Sequence, residues 1–262
     1  VHPPDNHSAG AVRPVIDGAL LEIDLSSIDA TARLRWAWEA FGTRAAIGTS
    51  FQGAGLVTID LARKAGLDFP VFTLDTGLLF PETIETWHRL EEHFGIRIQG
   101  LKSAYSVEDQ ARILGPELWA RDPDLCCTIR KVDPLKERLE TLDCWITGLR
   151  REQSKVRTST DILEEHTIEV QAGAPGRRIW KFNPLADWSR DAVWNHLKSN
   201  GIPYNPLHDR GYRSIGCIPC TRPTSSGEDE RAGRWTGFNK TECGIHTFSR
   251  KTVPEVEPDP SI

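Results

Sequence analysis

The chain has 262 residues, 26% of them charged and 39% hydrophobic, and a formal net charge of -5. That length allows one large core or two modest domains. No apolar run approaches the ~20 residues of a membrane span, the acidic balance argues against bulk nucleic-acid binding, and Val1–His7 has neither the basic head nor the apolar core of a secretory signal, so cytoplasm is the expectation.

In chain order, residues 1–20 are rich in Pro, Gly and His and read as a flexible arm. An α/β body is expected over 21–206, a C-terminal segment packed on it over 207–252, and a disordered Pro- and acid-rich tail over 253–262. Asp29 and the serines before it suit the cap of a helix from Ala30 to Phe41, which Gly42 ends. Residues 45–51 read as a short apolar strand, followed by a turn at Gln52-Gly53-Ala54-Gly55 and a helix from Leu56 to Lys64. A strand, a glycine turn and a helix start make an anion site, because backbone N–H groups and the helix dipole point at one spot. This turn matches neither the P-loop nor the dinucleotide fingerprint.

A second strand over 69–74 ends in Asp75-Thr76-Gly77, and Pro81 opens a helix to Phe94. A third strand covers 96–101. Helical stretches follow over 107–119 and 124–142, then a fourth strand over 144–149 that runs into Arg150-Arg151-Glu152-Gln153-Ser154. A hairpin is expected around 168–170 and 179–182, and Ser189 caps a helix from Arg190 to Lys198. Strands alternating with helices predict a parallel sheet covered on both faces, with ligands beyond the C-terminal strand ends. Three polar clusters fall there: Thr49/Ser50/Gln52, Asp75/Thr76 and Arg150/Arg151.

The six cysteines of a cytosolic chain are expected to bind metal or catalyse rather than to form disulfides. Cys144 opens an apolar strand and reads as core. Cys126-Cys127 and Cys217-Ile218-Pro219-Cys220 supply four thiols for a tetrahedral Zn²⁺ or an iron–sulfur cluster, unless the adjacent pair is simply buried. Structural zinc pairs are spaced by two to four residues, so adjacent cysteines favour a [4Fe–4S] cluster, which offers four separate corners. Cys243 lies between Lys240 and His246; cations ease thiol ionisation, whereas Glu242 opposes it.

Thr49-Ser50-Phe51-Gln52-Gly53-Ala54, Leu74-Asp75-Thr76-Gly77, Cys126-Cys127-Thr128-Ile129-Arg130-Lys131, the 147–154 stretch, Gly216–Arg222 and Glu242-Cys243-Gly244-Ile245-His246 occur in one order over residues 45–246. Together they resemble the assimilatory sulfonucleotide reductases, in particular adenylyl-sulfate (APS) reductases. The resemblance implies an adenine-nucleotide alpha-hydrolase-like α/β fold whose 21–206 body binds nucleotide. It implies a [4Fe–4S] cluster on Cys126, Cys127, Cys217 and Cys220, and Cys243 as the catalytic thiol. Substrate contacts are expected from Thr49, Ser50, Phe51, Gln52 and Gly53, from Leu74, Asp75 and Thr76, from Gly148, Arg150 and Arg151, and from Lys131, Arg231, Arg234 and His246. It further implies that Cys243 attacks the sulfur of APS, releasing AMP, and that thioredoxin or a glutaredoxin-like reductant then frees sulfite. Relatives that use the 3′-phosphorylated nucleotide, PAPS, usually lack the cluster cysteines; PAPS reduction is the alternative. An ATP-using relative of the same fold would need an intact SGG-x-DS loop, and a redox-sensing binding module would show no nucleotide affinity. Oligomeric state stays open.

Overall fold

The computed structural model describes residues 23–168, 176–225 and 227–246. The expected N-terminal arm and C-terminal tail lie outside these residues, as does the expected strand end at Val170. Six strands form one sheet: β1 (Ala45–Gly48), β2 (Val71–Asp75), β3 (Ile98–Lys102), β4 (Cys144–Ile146), β5 (Leu163–Ile168) and β6 (Arg177–Phe182). Their order is β3-β2-β1-β4-β6-β5. Every pairing is parallel except β5 with β6, so the sheet is mixed where a parallel one was expected. The hairpin is longer than the sequence suggested because Leu163–Ile168, polar at its four inner positions, becomes an edge strand through pairing with β6 along its whole length.

Alternation along the strands sorts side chains onto two cores. Ile47, Cys144 and Ile146 face one core together with Leu34, Leu56, Leu90, Val193 and Phe182. Their neighbours Ala46 and Trp145 face the other with Phe72, Leu135, Leu139 and Ile179. The first core carries α1 (Ala30–Phe41), α2 (Gly53–Lys64), α3 (Pro81–Phe94) and, after the intervening segments, α8 (Arg190–Ser199); the second carries α7 (Asp133–Leu139). Cys144 is fully buried, as its apolar context predicts. Among the described residues no helix is long and apolar enough to cross a membrane.

Asp29 caps α1, its carboxylate accepting from Ala32 N at 2.8 Å, and Pro81 sits in the first turn of α3. Arg33 of α1 is buried, and its guanidinium donates to both carboxylate oxygens of Asp187 at 2.8 and 2.7 Å. The Arg33 hydrogen bond holds the Asp187 carboxyl below the usual range.

Boundaries differ from expectation where packing overrides propensity. β1 stops at Gly48, and Phe51 adopts a left-handed φ of 57° while its ring stacks on Trp87 at 5.6 Å. Helix α2 starts at Gly53 rather than Leu56: a Cβ on Gly53 would meet Val193 at 2.9 Å, and one on Gly55 would meet Thr49 Oγ1 at 2.7 Å. These glycines serve close approach inside a helix, not a turn. The 107–119 stretch is two helices, α4 (Val107–Leu114) and α5 (Leu118–Arg121), divided at Gly115. The 124–142 stretch is α6 (Pro123–Cys127), a π-helical turn over Thr128–Val132, and α7.

Candidate active site

Strand order reverses at β1, where β2 lies on one side and β4 on the other. In an open α/β sheet that reversal leaves a crevice beyond the carboxyl ends. The loop after β1 supplies Thr49, Ser50, Phe51, Gln52 and Gly53, and the N-terminus of α2 aims its free backbone N–H groups into the cleft. Gly148, after β4, closes the opposite wall: a Cβ there would lie 2.7 Å from Gly55 N, so glycine lets this loop touch the first turn of α2.

Leu74, Thr76 and Arg150 line the cleft as expected. Asp75 and Arg151 are not among the lining residues. The Asp75 carboxylate accepts from Gly77 N at 3.1 Å and pairs with Lys102 at 3.4 Å. Arg151 Nε donates to Thr160 O at 2.9 Å. Arg150 is buried beside Glu152, at 3.2 Å, and Glu230, at 3.8 Å.

Lys131 reaches the cleft from the π turn. The extra residue in that turn breaks the simple i to i+4 relation with Cys127, but both residues stay buried. Burial works to lower the Lys131 pKa; Cys217, Cys127 and Cys243 outweigh it and raise it. A buried ammonium held charged by sulfur is matched to a negative group.

Cys126, Cys127, Cys217 and Cys220 lie close enough to interact electrostatically with one another and with this lysine. Cys126, Cys127 and Cys217 are buried, Cys220 is half-buried, and no cysteine is in a disulfide. Burial, followed by Cys127, Cys217 and Cys220, pushes the Cys126 thiol up to about 12. Burial and Cys217 push Cys220 up to about 11. For Cys217 burial acts upward, but Lys131, Thr76 and Arg234 win and lower its pKa. Thr76 Oγ1 lies 3.3 Å from Cys217 Sγ. Among the described residues no group of three or more His, Cys, Asp or Glu is placed to hold a single metal ion.

The C-terminal arm closes the cleft. Gln52 clamps it at one point, donating to Ile215 O at 3.2 Å and accepting from Ile215 N at 3.4 Å. Arg231, Arg234, Cys243 and His246 all line the cavity. Arg234 passes through the space a Cβ on Gly216 would fill, 2.1 Å from its Nη2. Trp235 is buried, has φ 45°, and has three cations over its ring: Arg234 at 4.5 Å, Lys240 at 5.3 Å and Arg231 at 5.7 Å. Burial, then Arg157, lowers Arg231 to about 10, so it stays charged at neutral pH.

Two neighbours of Cys243 differ from the sequence picture. Lys240 pairs with Asp124, just before the cysteine pair, instead of lining the cleft. His246 stacks on Trp145, 5.2 Å apart and 8° from parallel. Burial and the cations Arg157, Lys181 and Arg231 push its pKa well below 6.5, so it lines the site as a neutral ring. Half-buried Cys243 therefore draws positive charge from Lys131 and Arg231, each of which interacts with it electrostatically.

Residues 44–223 match the phosphoadenosine phosphosulfate reductase domain. The chain belongs to that reductase family. A protein named adenosine 5′-phosphosulfate reductase from Salinibacter ruber is 43% identical over 217 residues, covering 82% of this chain and 83% of that one. Its namesake from Staphylococcus haemolyticus is 40% identical over 238 residues, covering 90% and 94%. The crystal structure of phosphoadenylyl-sulfate (PAPS) reductase from Candida auris, a phosphate complex, superposes with a TM-score of 0.64 at 27% identity, covering 79% of this chain and 96% of that one. Candida glabrata FMN adenylyltransferase, in complex with FAD and inorganic pyrophosphate, shares the fold at TM-score 0.51 and 13% identity, with 93% and 81% covered.

Sequence reading assigned no role to two side chains that the reductase-family fold brings to the cleft region. Arg157 lines the cleft and donates to Glu242 at 2.9 and 2.8 Å. In sequence it stands two residues after Lys155, and nothing separates the two cations. Trp235 carries no sequence signal beyond its place next to Arg234.

Proposed function

We propose that this chain reduces APS to sulfite and AMP through an S-sulfonate on Cys243, in assimilatory sulfate reduction and in the cytoplasm. One observation carries the reading: a half-buried thiol opens into the same cleft as a free helix N-terminus and the cations Lys131, Arg157, Arg231 and Arg234. The helix start at Gly53 suits the nucleotide phosphate. The cations suit the sulfonate oxygens and the negative charge that builds as the bond breaks. Arg is apt because its planar fork pairs two oxygens at once.

In the first step the Cys243 thiol loses its proton to solvent and the thiolate sulfur bonds to the sulfonate sulfur. The bond from that sulfur to the phosphate oxygen breaks, and AMP leaves with the electron pair. AMP is a good leaving group, so no general acid is needed, consistent with a cleft rich in cations. In the second step a reduced dithiol, thioredoxin in our reading, attacks Cys243 Sγ and displaces sulfite. Its second thiol then frees Cys243, and the dithiol leaves as its disulfide.

Cys126, Cys127, Cys217 and Cys220 would hold a [4Fe–4S] cluster. Their closeness, seen in each sulfur disfavouring ionisation of its neighbours, their burial and the charged Lys131 beside them fit such a group. When bound it would supply negative charge and a rigid anchor rather than electrons, since the thiol step needs none. The complete four-thiol set, together with the APS-named relatives, supports APS over PAPS.

The test is intact-protein mass spectrometry after anaerobic incubation with APS and no reductant. A gain of one sulfonate on Cys243, removed by reduced thioredoxin, is the expected result. An adduct with PAPS but not APS would move the substrate to the phosphorylated nucleotide. No adduct with either, from iron-replete protein, would overturn the reading.

A further inference from the structure

Glu242 immediately precedes the thiol, and its carboxylate accepts three charge-assisted hydrogen bonds. It accepts from Arg157 Nε at 2.9 Å, from Arg157 Nη2 at 2.8 Å and from Arg231 Nη2 at 3.2 Å. Arg231 Nη2 also donates to Thr241 O at 3.0 Å. All three side chains are largely shielded, at 11%, 14% and 18% exposure for Arg157, Arg231 and Glu242. Bidentate charge-assisted bonds in such a setting are among the stronger polar contacts. The partners differ in origin. Arg231 belongs to the arm itself, whereas Arg157 belongs to a short 3₁₀ turn (Lys155–Arg157) of the α/β body. The Arg157–Glu242 pair therefore fastens arm to body one residue from the nucleophile.

Around the thiol, the other fastenings of arm to body include Lys240 on Asp124, His246 on Trp145, and Lys181 Nζ on His246 O at 3.4 Å. Residues 239–243 form neither helix nor strand. A segment fastened by side chains opens at lower cost than one laced into a sheet. The same two guanidinium groups line the cleft, so Glu242 also fixes the position of cations that a substrate oxyanion can meet.

We infer that the Arg157–Glu242 pair is a clasp that sets the balance between a closed arm, with Cys243 in the cleft, and an open arm, with Cys243 exposed to its reductant. Glu242 is a positioning residue in this scheme. It favours the first half-reaction, which needs the thiol beside the nucleotide, and restrains the second, which needs it outside. The inference rests on the two-step thiol reading above, yet part of its test uses no nucleotide.

That part is alkylation of Cys243 by iodoacetamide, followed by mass spectrometry on the iron-replete full chain across pH. Glu242→Gln and Arg157→Gln each break the clasp but change the local charge in opposite senses, one removing a negative group and the other a positive one. Ionisation therefore cannot explain a common change in the limiting rate at high pH, where every thiol is thiolate. The clasp predicts that this limiting rate rises about tenfold in both variants, the population shift expected for losing one good ion pair. It also predicts that added salt raises the wild-type rate more than that of the variants, which keep, among the described residues, only the Lys240–Asp124 ion pair between arm and body near the thiol. In half-reactions, Glu242→Gln is expected to slow S-sulfonate formation from APS about tenfold and to speed sulfite release from the preformed adduct at low thioredoxin. Limiting alkylation rates unchanged in both variants would overturn the clasp, and so would a parallel slowing of both half-reactions, which is the mark of general damage. A wild type that forms no adduct with APS would sink the function reading and leave the alkylation result to decide the clasp.

Discussion

The sheet and the C-terminal arm meet across one cleft but are held by different forces. β1 to β4 and β6 are tied by backbone ladders and send buried side chains into both cores, with Gln99 and Lys102 of the edge strand β3 left exposed. The arm from Ile215 to His246 has isolated bridges, one short 3₁₀ turn and a set of ion pairs and cation–ring contacts. Ladders and cores resist local opening, whereas side-chain fastenings release one at a time. The division fits the chemistry proposed: the sheet holds a nucleotide still, and the arm delivers a thiol to two partners in turn.

Substitutions can break this contrast, and the largest effect should come from the arm without touching the fold. Cys243→Ser should cut APS reduction at least about a thousandfold, since it removes the group the other residues serve. Its Tm should match the wild type. A large drop in Tm, or retained turnover, would show that arm and body are not separable. Gly216→Ala comes next. A methyl group there occupies the Arg234 guanidinium position, so kcat/KM should fall about a hundredfold, as for loss of one oriented donor to a developing oxyanion. The melting midpoint should move little, because the site is on the arm.

The sheet side is probed through stability. Asp187→Asn leaves the buried Arg33 charge without its carboxylate. Denaturant unfolding should show a loss of about 2 kcal/mol, less than for a fully buried pair because Asp187 is partly exposed. Arg33 depresses the folded-state pKa of Asp187, so the stabilisation is complete above the unfolded carboxyl value and fades as pH falls through the folded value. The difference between wild type and variant should thus hold steady from pH 7 to about 5 and shrink below about pH 4. A difference that grew in acid would refute the assignment. The smallest effect should separate ring from volume at Trp235: Leu fills space but has no π face. Trp235→Leu should lower kcat/KM about tenfold and Trp235→Phe by no more than about threefold. Equal losses in both would mean that the cations are not gathered by the aromatic face.

Much of the body was legible in the sequence because one signal dominated each element. Asp29 and Gly42 bound α1, Pro81 opens α3, and apolar runs mark the inner strands, so existence and type followed directly. The hidden features depend on tertiary contact. Gly53 and Gly55 look like a turn until Val193 and Thr49 occupy the space where their side chains would be. The charged β5 becomes a strand only by pairing with β6. At the site, the backbone loops and the thiols were readable as motifs, whereas the partners of individual charges were not. Asp75 and Arg151 carry suitable chemistry yet turn to Lys102 and Thr160, and Arg157 enters the cleft from an ordinary basic run. A neutral His246 could not be foreseen either, because its state is set by burial and by Arg157, Lys181 and Arg231.

The π turn at Thr128–Val132 has a further consequence for how the body tolerates change. One extra residue there sets α6 and α7 out of phase by about 100°, the angular step of a helical residue. Leu125, Cys126 and Ile129 point into one small cluster, while Leu135 and Leu139 point into the second core. The insertion acts as a gearbox between two faces that must be set independently. Deleting a single residue from it would force a choice: the thiols keep their heading and the leucines turn out to water, or the leucines keep theirs, Cys126 and Cys127 swing away from Cys217, and Lys131 leaves the cleft. A substitution in this turn is a local matter, but a change in its length is felt at both ends of the molecule's chemistry.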